Sequence, residues 1–306
     1  MPPKSTQREW NHTERPKTRG FFEPSTFNGR EITVERLNNR WGHVRLPKIG
    51  WVKFRMTRNL SGKLTEATVS LTPLGWQISI GCKDCDIRDF ATEGAVGIDR
   101  GVSVPLMLSD GTAYMLPERL DSIERRACKT QRILARRKRG SNRHALARKR
   151  VAALKAKAAR IRKHWAHETT TDICRNHGTA VIERLRIRDM TASAAGTVEE
   201  PGRNVAQKRG LNRAILNVGW HQIETRLFYK AHRIVKVDPR FTSQTCSCCG
   251  AVDSRSRKNQ ASFVCTTCGF HANADHNAAL NILHRGNTPV VEPQVTVASK
   301  RKLHPV

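Results

Sequence analysis

Two cysteine pairs constrain this chain more tightly than anything else in its sequence: Cys246-x2-Cys249 and, fifteen residues on, Cys265-x2-Cys268. Each pair sets two thiolates on one knuckle, and two knuckles can enclose a tetrahedral Zn²⁺. Gly250 and Gly269 follow the second cysteine of each pair, where a tight turn favours glycine. A closed four-sulfur shell leaves no position for water, so the zinc it implies is scaffold, in a ribbon that could also touch nucleic acid. Cys248 is a spare thiol that could compete as a ligand but breaks the two-residue spacing. Cys82-x2-Cys85 has no second pair nearby and reads as two unligated thiols near a strand end. Cys128 and Cys174 read as buried small apolar side chains. Nine cysteines are an odd count, which in a reducing compartment favours metal over disulfides.

The 306 residues carry 55 Lys+Arg against 26 Asp+Glu, a formal charge of +29. Such an excess repels itself unless a polyanion neutralises it, and nucleic acid is the usual one. No apolar run is long enough to span a membrane and Met1–Trp10 lacks a signal-like apolar core, so a cytoplasmic, nucleoid-associated protein is expected, with no membrane partner. The charge is concentrated: residues 125–163 hold 17 Lys/Arg and no acid. A charge run on helices can be a merely solvated face. So many uncompensated cations are better accounted for by phosphate contacts, with Arg132, Arg136, Arg137, Lys138, Arg139, Arg148, Lys149, Arg150 and Arg160 as candidates. Charge spaced along a helix reads backbone rather than bases.

Along the chain, residues 1–30 are polar, basic and aperiodic, a loose arm. Short β-branched and aromatic segments from Ile32 to Ile80, separated by turn residues, predict a small antiparallel, barrel-like unit. Trp41, Trp51 and Trp76 within it are expected in its core, although such a face can present rings to single strands. A second β unit opens at Ala95, and its Asp110-Gly111 suits a type I′ hairpin. Ile123, Ala127, Thr130 and Leu134, then Ala147, Val151, Leu154, Ala158, Ile161 and Trp165, step by alternating fours and threes. They form a seam on each of two helices folded back at Gly140-Ser141-Asn142. Thr179–Glu183 and Arg233–Val237 are further core strands, Thr191–Arg203 a mobile loop, Leu211–Tyr229 one helix and Asn273–His284 another. Residues 286–306 read as a disordered basic tail.

Asp99 and Glu183 each close an apolar strand, and Asp275 opens a helix after the cysteine segment. Taken singly, an acid at a strand end is usually a cap or turn residue, and Asp275 could be a helix N-cap. If the strands are neighbours the three converge, and divalent cations would relieve their repulsion. Paired Mg²⁺ ions are what in-line phosphodiester displacement needs.

At this point the sequence resembles a known family. Gly97-Ile98-Asp99-Arg100-Gly101, Val181-Ile182-Glu183-Arg184-Leu185, Thr242-Ser243-Gln244-Thr245-Cys246-Ser247-x-Cys249-Gly250, Cys265-x2-Cys268-Gly269 and Ala274-Asp275-His276-Asn277-Ala278-Ala279-Leu280-Asn281-Ile282 look like the TnpB (OrfB) insertion-sequence proteins, relatives of the type V CRISPR effectors. The resemblance covers roughly residues 30–285 and implies an α/β fold. A ribonuclease-H-like (RuvC) core carries a helical-hairpin insertion and a zinc ribbon, after a small antiparallel β-barrel (wedge) domain. The implied layout is an arm at 1–30, a partial wedge domain at 31–92, the nuclease core at 93–240 with its insertion at 118–175, the ribbon at 241–271, the final helix at 272–285 and a tail at 286–306. It implies a guide RNA derived from the transposon, a DNA target beside a short adjacent motif, and Mg²⁺-dependent cleavage. Asp99, Glu183 and Asp275 match the catalytic, magnesium-holding positions; Cys246, Cys249, Cys265 and Cys268 match the zinc positions. Against that pattern the chain is N-terminally short, as a decayed fragment, a misassigned start or a minimal variant would be. Arg184 stands where an acid is common.

The leading expectation is therefore a transposon-encoded, RNA-guided, metal-dependent DNA endonuclease. The alternative is a non-cleaving nucleic-acid-binding regulator or inactive relic. A tyrosine transposase fits poorly, because neither Tyr114 nor Tyr229 lies near a His-x-His pattern.

Overall fold

The computed structural model describes residues 24–56, 58–84, 90–197, 199–259 and 261–287. Most of the expected arm (1–23), most of the expected tail (288–306) and Cys85 lie outside the described residues. The chain divides into two compact units, Met1–Arg88 and Asp89–Val306. No helix among the described residues is long and apolar enough to cross a membrane.

The first unit contains β1 (Ser25–Asn28), β2 (Thr33–Arg36), β3 (Trp41–Leu46), β4 (Gly50–Arg55), β5 (Lys63–Thr72) and β6 (Gly75–Lys83). They make two three-stranded antiparallel sheets, β1-β5-β6 and β2-β3-β4. Both sheets give side chains to one core, where Val44, Leu46 and Ala67 meet Phe27, Phe54 and Ile80. Among the described residues no ladder joins the two sheets, so the expected barrel stands as two small sheets around a shared core. Residues 25–28, expected in the arm, are a strand. They pair along the edge of β5, and Phe27 reaches the core. Backbone groups that would otherwise need water are satisfied there.

The tryptophans are a correction too. Trp41, Trp51 and Trp76 are 40%, 48% and 49% exposed. Strand parity is the reason: Gly42, Val44 and Leu46 of β3 turn toward the core, which sends Trp41, His43 and Arg45 outward, and Trp51 sits opposite Arg45.

The second unit runs β7 (Ala95–Asp99), β8 (Leu106–Leu108), β9 (Ala113–Tyr114), α1 (Glu118–Ala135), α2 (Asn142–Asn176), β10 (Thr179–Glu183), α3 (Ile187–Met190), α4 (Val205–Val218), α5 (Trp220–Lys230), β11 (Arg233–Val237), β12 (Ser262–Val264), β13 (His271–Asn273) and α6 (Ala274–Asn287). Its main sheet has the order β11-β10-β7-β8-β9, with the first three strands parallel and the last two antiparallel. The central strands are covered on both faces, which explains their unbroken apolar runs. Val96, Ile98, Ala180 and Ile182 pack with side chains of α2, α4 and α5, including Ile173, Ile215 and Leu227. The alternate residues Val181 and Val237 pack with Ile282 of α6.

Gly97 fixes how closely α6 lies on the sheet. A Cβ there would fall 2.1 Å from the carbonyl oxygen of Ala279, so only glycine lets helix and strand approach this far. The approach lays α6 across β7 and puts its first turn beside the carboxyl ends of β7 and β10.

α1 and α2 form the helical hairpin. Leu120, Ile123 and Ala127 pack on Leu154, Ala158 and Ile161, while Thr130, Leu134 and Ala147 are half-buried toward the tip. Ser141 caps α2 by accepting from the His144 amide at 3.1 Å. Cys174 is buried as expected, but Cys128 is exposed, being one residue off the seam. Two local expectations change. The β8–β9 loop is not type I′, because Gly111 alone takes a positive φ (+90°) within it; the Gly111 amide bonds Leu108, as in a type I turn with a glycine bulge. The single helix over 211–229 is two helices, broken where Gly219 adopts φ +76°.

Candidate functional site

Asp99 ends β7 and Glu183 ends β10. These strands are parallel with Ile98 opposite Ile182, so the two acids leave the sheet side by side. Asp275 reaches the same place from the first turn of α6. It is not the cap of that helix: the Asn273 side chain accepts from the amides of Asp275 (2.9 Å) and His276 (3.1 Å). Asp275 is buried without a structural duty at the helix end, and Glu183 is buried as well.

The electrostatics follow from this convergence. Burial, reinforced by Glu183 and Asp275, pushes the Asp99 carboxyl from 3.8 up to about 7. Burial also raises Glu183, partly offset by a hydrogen bond from Thr242 and the charges of Arg100 and Arg285. Asp275 is raised by burial and pulled back by Arg257. Burial thus penalises charge on all three acids, and at Asp99 the two neighbouring carboxylates add to the penalty.

Their supports are specific. Thr242 Oγ1 donates to Glu183 Oε1 at 2.6 Å. Arg100, buried next to Asp99, donates to the Glu183 carbonyl and pairs with Glu224 at 2.9 Å. Arg257 of the cysteine segment pairs with Asp275 at 3.2 Å. The buried Asn277 and Asn281 donate to the carbonyls of Thr242 and Thr245, at 2.7–2.9 Å, and tie α6 to the chain entering that segment. Of these, Arg100, Thr242, Asn277 and Asn281 lie in the resemblance motifs without an assigned role. Arg257 carried no sequence signal, since only the folded ribbon brings it across eighteen positions to Asp275.

The cysteines meet as their spacing predicts. Cys246, Cys249, Cys265 and Cys268 bring their sulfurs within 4.8 Å of one another. The pairs Cys246–Cys268 and Cys249–Cys265 stand 3.8 and 3.6 Å apart. A tetrahedral zinc with bonds near 2.3 Å needs sulfurs about 3.8 Å apart, so the residues present fit that ion. Backbone amides of Cys268 and Thr267 lower the Cys265 thiol to about 6, whereas the thiols of Cys246, Cys249 and Cys268 are raised. Gly250 and Gly269 take φ +76° and +74° after each knuckle. Cys248 is exposed and outside the cluster. Among the described residues only this set brings three or more metal-binding atoms so close; Asp99, Glu183 and Asp275 do not form such a group.

The nine candidate phosphate contacts are all exposed on α1, α2 and the connection between them. No ion pair among the described residues engages any of them. They lie along the hairpin rather than at the carboxylates. Tyr114 donates to Asp172 at 2.6 Å and burial raises its pKa, which opposes use as a nucleophile.

Comparison with known proteins gives the following. Residues 83–194 match the family model OrfB_IS605, described as "Probable transposase", and residues 220–282 match the Cas12f1-like TNB domain. The chain is 36% identical over 261 residues to the Escherichia coli K12 protein named "Putative RNA-guided DNA endonuclease InsQ", covering 84% of this chain and 64% of that one. It is 32% identical over 260 residues to a Streptomyces pristinaespiralis protein named "Putative RNA-guided DNA endonuclease", covering 83% and 58%. The chain thus spans under two thirds of either relative's length. A Cas12f1–sgRNA–target DNA complex aligns at TM-score 0.41 and 26% identity, over 71% of this chain and 55% of that one.

Proposed function

We propose that this chain, similar to the OrfB_IS605 model and to InsQ, is a member of the TnpB (OrfB) insertion-sequence proteins and a transposon-encoded, RNA-guided DNA endonuclease whose hydrolytic centre is Asp99, Glu183 and Asp275. The observation that carries this reading is the convergence of three acids, two of them buried, at the carboxyl edge of a parallel sheet, with Asp275 relieved of capping by Asn273. The α/β core is read as ribonuclease-H-like, the unit before it as the wedge domain and the cysteine segment as a zinc ribbon.

Mg²⁺ held by the three carboxylates would activate water and stabilise the leaving oxygen of a phosphodiester. The protein's own part is positional. Thr242 fixes one oxygen of Glu183, Arg100 fixes the strand end beneath it, and Asn277 and Asn281 hold the helix that carries Asp275. Arg257 partly neutralises Asp275 and must share it with an arriving cation. The hairpin cations would hold the sugar-phosphate backbone of a guide–target duplex, whose sequence is read by base pairing. The cysteine set would hold zinc as scaffold and keep Arg257 within reach of Asp275.

The test is to purify the protein from its host, sequence the RNA that accompanies it, and offer DNA matching that RNA with Mg²⁺. Cutting by the wild type and none by Asp99→Ala, with equal RNA retention, is the expected result. RNA retention without cutting by the wild type would leave a guided binding protein instead.

A further inference from the structure

The outward face of β2-β3-β4 plays no part in that hydrolytic centre, yet it is built in an unusual way. Strand parity and register place Trp41 opposite Arg55, His43 opposite Lys53, and Arg45 opposite Trp51. The Lys53 ammonium lies 5.1 Å from the centre of the Trp41 ring, and the His43 and Trp51 rings are 6.0 Å apart at 47°. Trp41 and Trp51 stay 40% and 48% exposed. Four residues along one strand and one strand across, they stand about 14 Å apart. Two large rings left in water, with a third between them and three cations interleaved, are costly to expose unless something covers them.

The pattern selects the occupant. Cations beside exposed rings suit a ligand that carries phosphates and flat faces together, which is single-stranded nucleic acid. A duplex buries its base faces and could use only the cations. Glu35, directly across from His43, is the one acid facing outward among these positions. A carboxylate there repels phosphate but accepts from a ribose 2′-hydroxyl, which DNA lacks.

We propose that this sheet face is a stacking platform for unpaired bases of RNA, with Trp41 and Trp51 as its two anchors and Arg45, Lys53 and Arg55 holding the backbone between them. The choice of RNA leans on the reading of the chain as RNA-guided; the platform itself does not depend on cleavage. Binding is therefore measured without Mg²⁺, so that a protein unable to cut would still report it.

The experiment uses the full chain, a labelled oligouridine, an oligodeoxythymidine of equal length and a DNA duplex, at salt high enough to weaken backbone contacts made elsewhere. Wild type is expected to bind oligouridine most tightly, with quenched tryptophan emission. Trp41→Ala and Trp51→Ala should each lose about fivefold or more in affinity for it. Trp41→Phe/Trp51→Phe, which keeps rings that stack, should retain most of the affinity and lose most of the quenching. Alanine variants that bind like wild type, or phenylalanine variants that lose as much as alanine, would overturn the platform. Equal affinity for oligodeoxythymidine would overturn the assignment to RNA. A dimer that becomes monomeric in the alanine variants would overturn both, since a second copy would then cover the face.

Discussion

Asp99, Glu183 and Asp275 carry charges that the fold makes costly, and this gives the site a pH signature. Asp99 titrates near 3.8 when unfolded and near 7 when folded, so the metal-free native state holds its proton more tightly. Its contribution to stability is complete below about pH 4 and is lost as pH rises through about 7. Without Mg²⁺ the second unit should therefore melt at lower temperature at about pH 8 than at about pH 6, and Mg²⁺ should restore more at the higher pH. Asp99→Asn should flatten that dependence and remove the Mg²⁺ response, as thermal melts at both pH values would show. Arg257→Ala should strengthen Mn²⁺ binding if the guanidinium competes for Asp275, and titration calorimetry measures this directly. Asp99, Glu183 and Asp275 were legible as a set through the ordered motifs that carry them, since singly each reads as a cap or turn residue. Arg257 was not, because proximity across a folded ribbon has no local period.

Elements were legible where one periodicity dominates. The seam on α1 and α2 was readable because alternating steps of four and three describe only a helix with one buried stripe. The same count leaves Cys128 off the stripe, and applying it to every residue would have exposed that thiol. Aromatic character alone places Trp41, Trp51 and Trp76 in the core, and parity along the strand overrides it for Trp41. Val44 and Leu46 already commit β3 to one inward face, and Trp41 has the opposite parity. The break at Gly219 was hidden because apolar spacing continues across it and only a left-handed backbone divides α4 from α5. Leu154→Ala in the hairpin seam should cost about 2–5 kcal/mol, read by denaturant unfolding. Gly97→Ala should cost about 1–3 kcal/mol or more, since its methyl would meet the Ala279 carbonyl and the helix would have to lift. Because that helix carries Asp275, cleavage should fall further than stability does.

Across the whole molecule, charge placement says more than total charge. A net +29 called for a polyanion, but the chain keeps seventeen cations on one hairpin, away from three acids gathered at the sheet edge. Reversing Arg137 and Arg150 to Glu should weaken nucleic-acid binding at every sequence and flatten its salt dependence, seen as a smaller slope of log K against log salt. Removing zinc with a chelator should unfold the cysteine segment and free Arg257 from Asp275, followed by zinc release and loss of far-ultraviolet signal. Hydrolysis at this site requires the three carboxylates to act as one cation site. The direct measurement counts bound Mn²⁺ by electron paramagnetic resonance and follows cleavage of matched DNA in the RNA-loaded wild type, Asp99→Asn, Glu183→Gln and Asp275→Asn. Each substitution is predicted to abolish cleavage and weaken Mn²⁺ binding together while leaving zinc and RNA content unchanged. Cleavage that survives in any of the three, or Mn²⁺ binding indifferent to all of them, would contradict it.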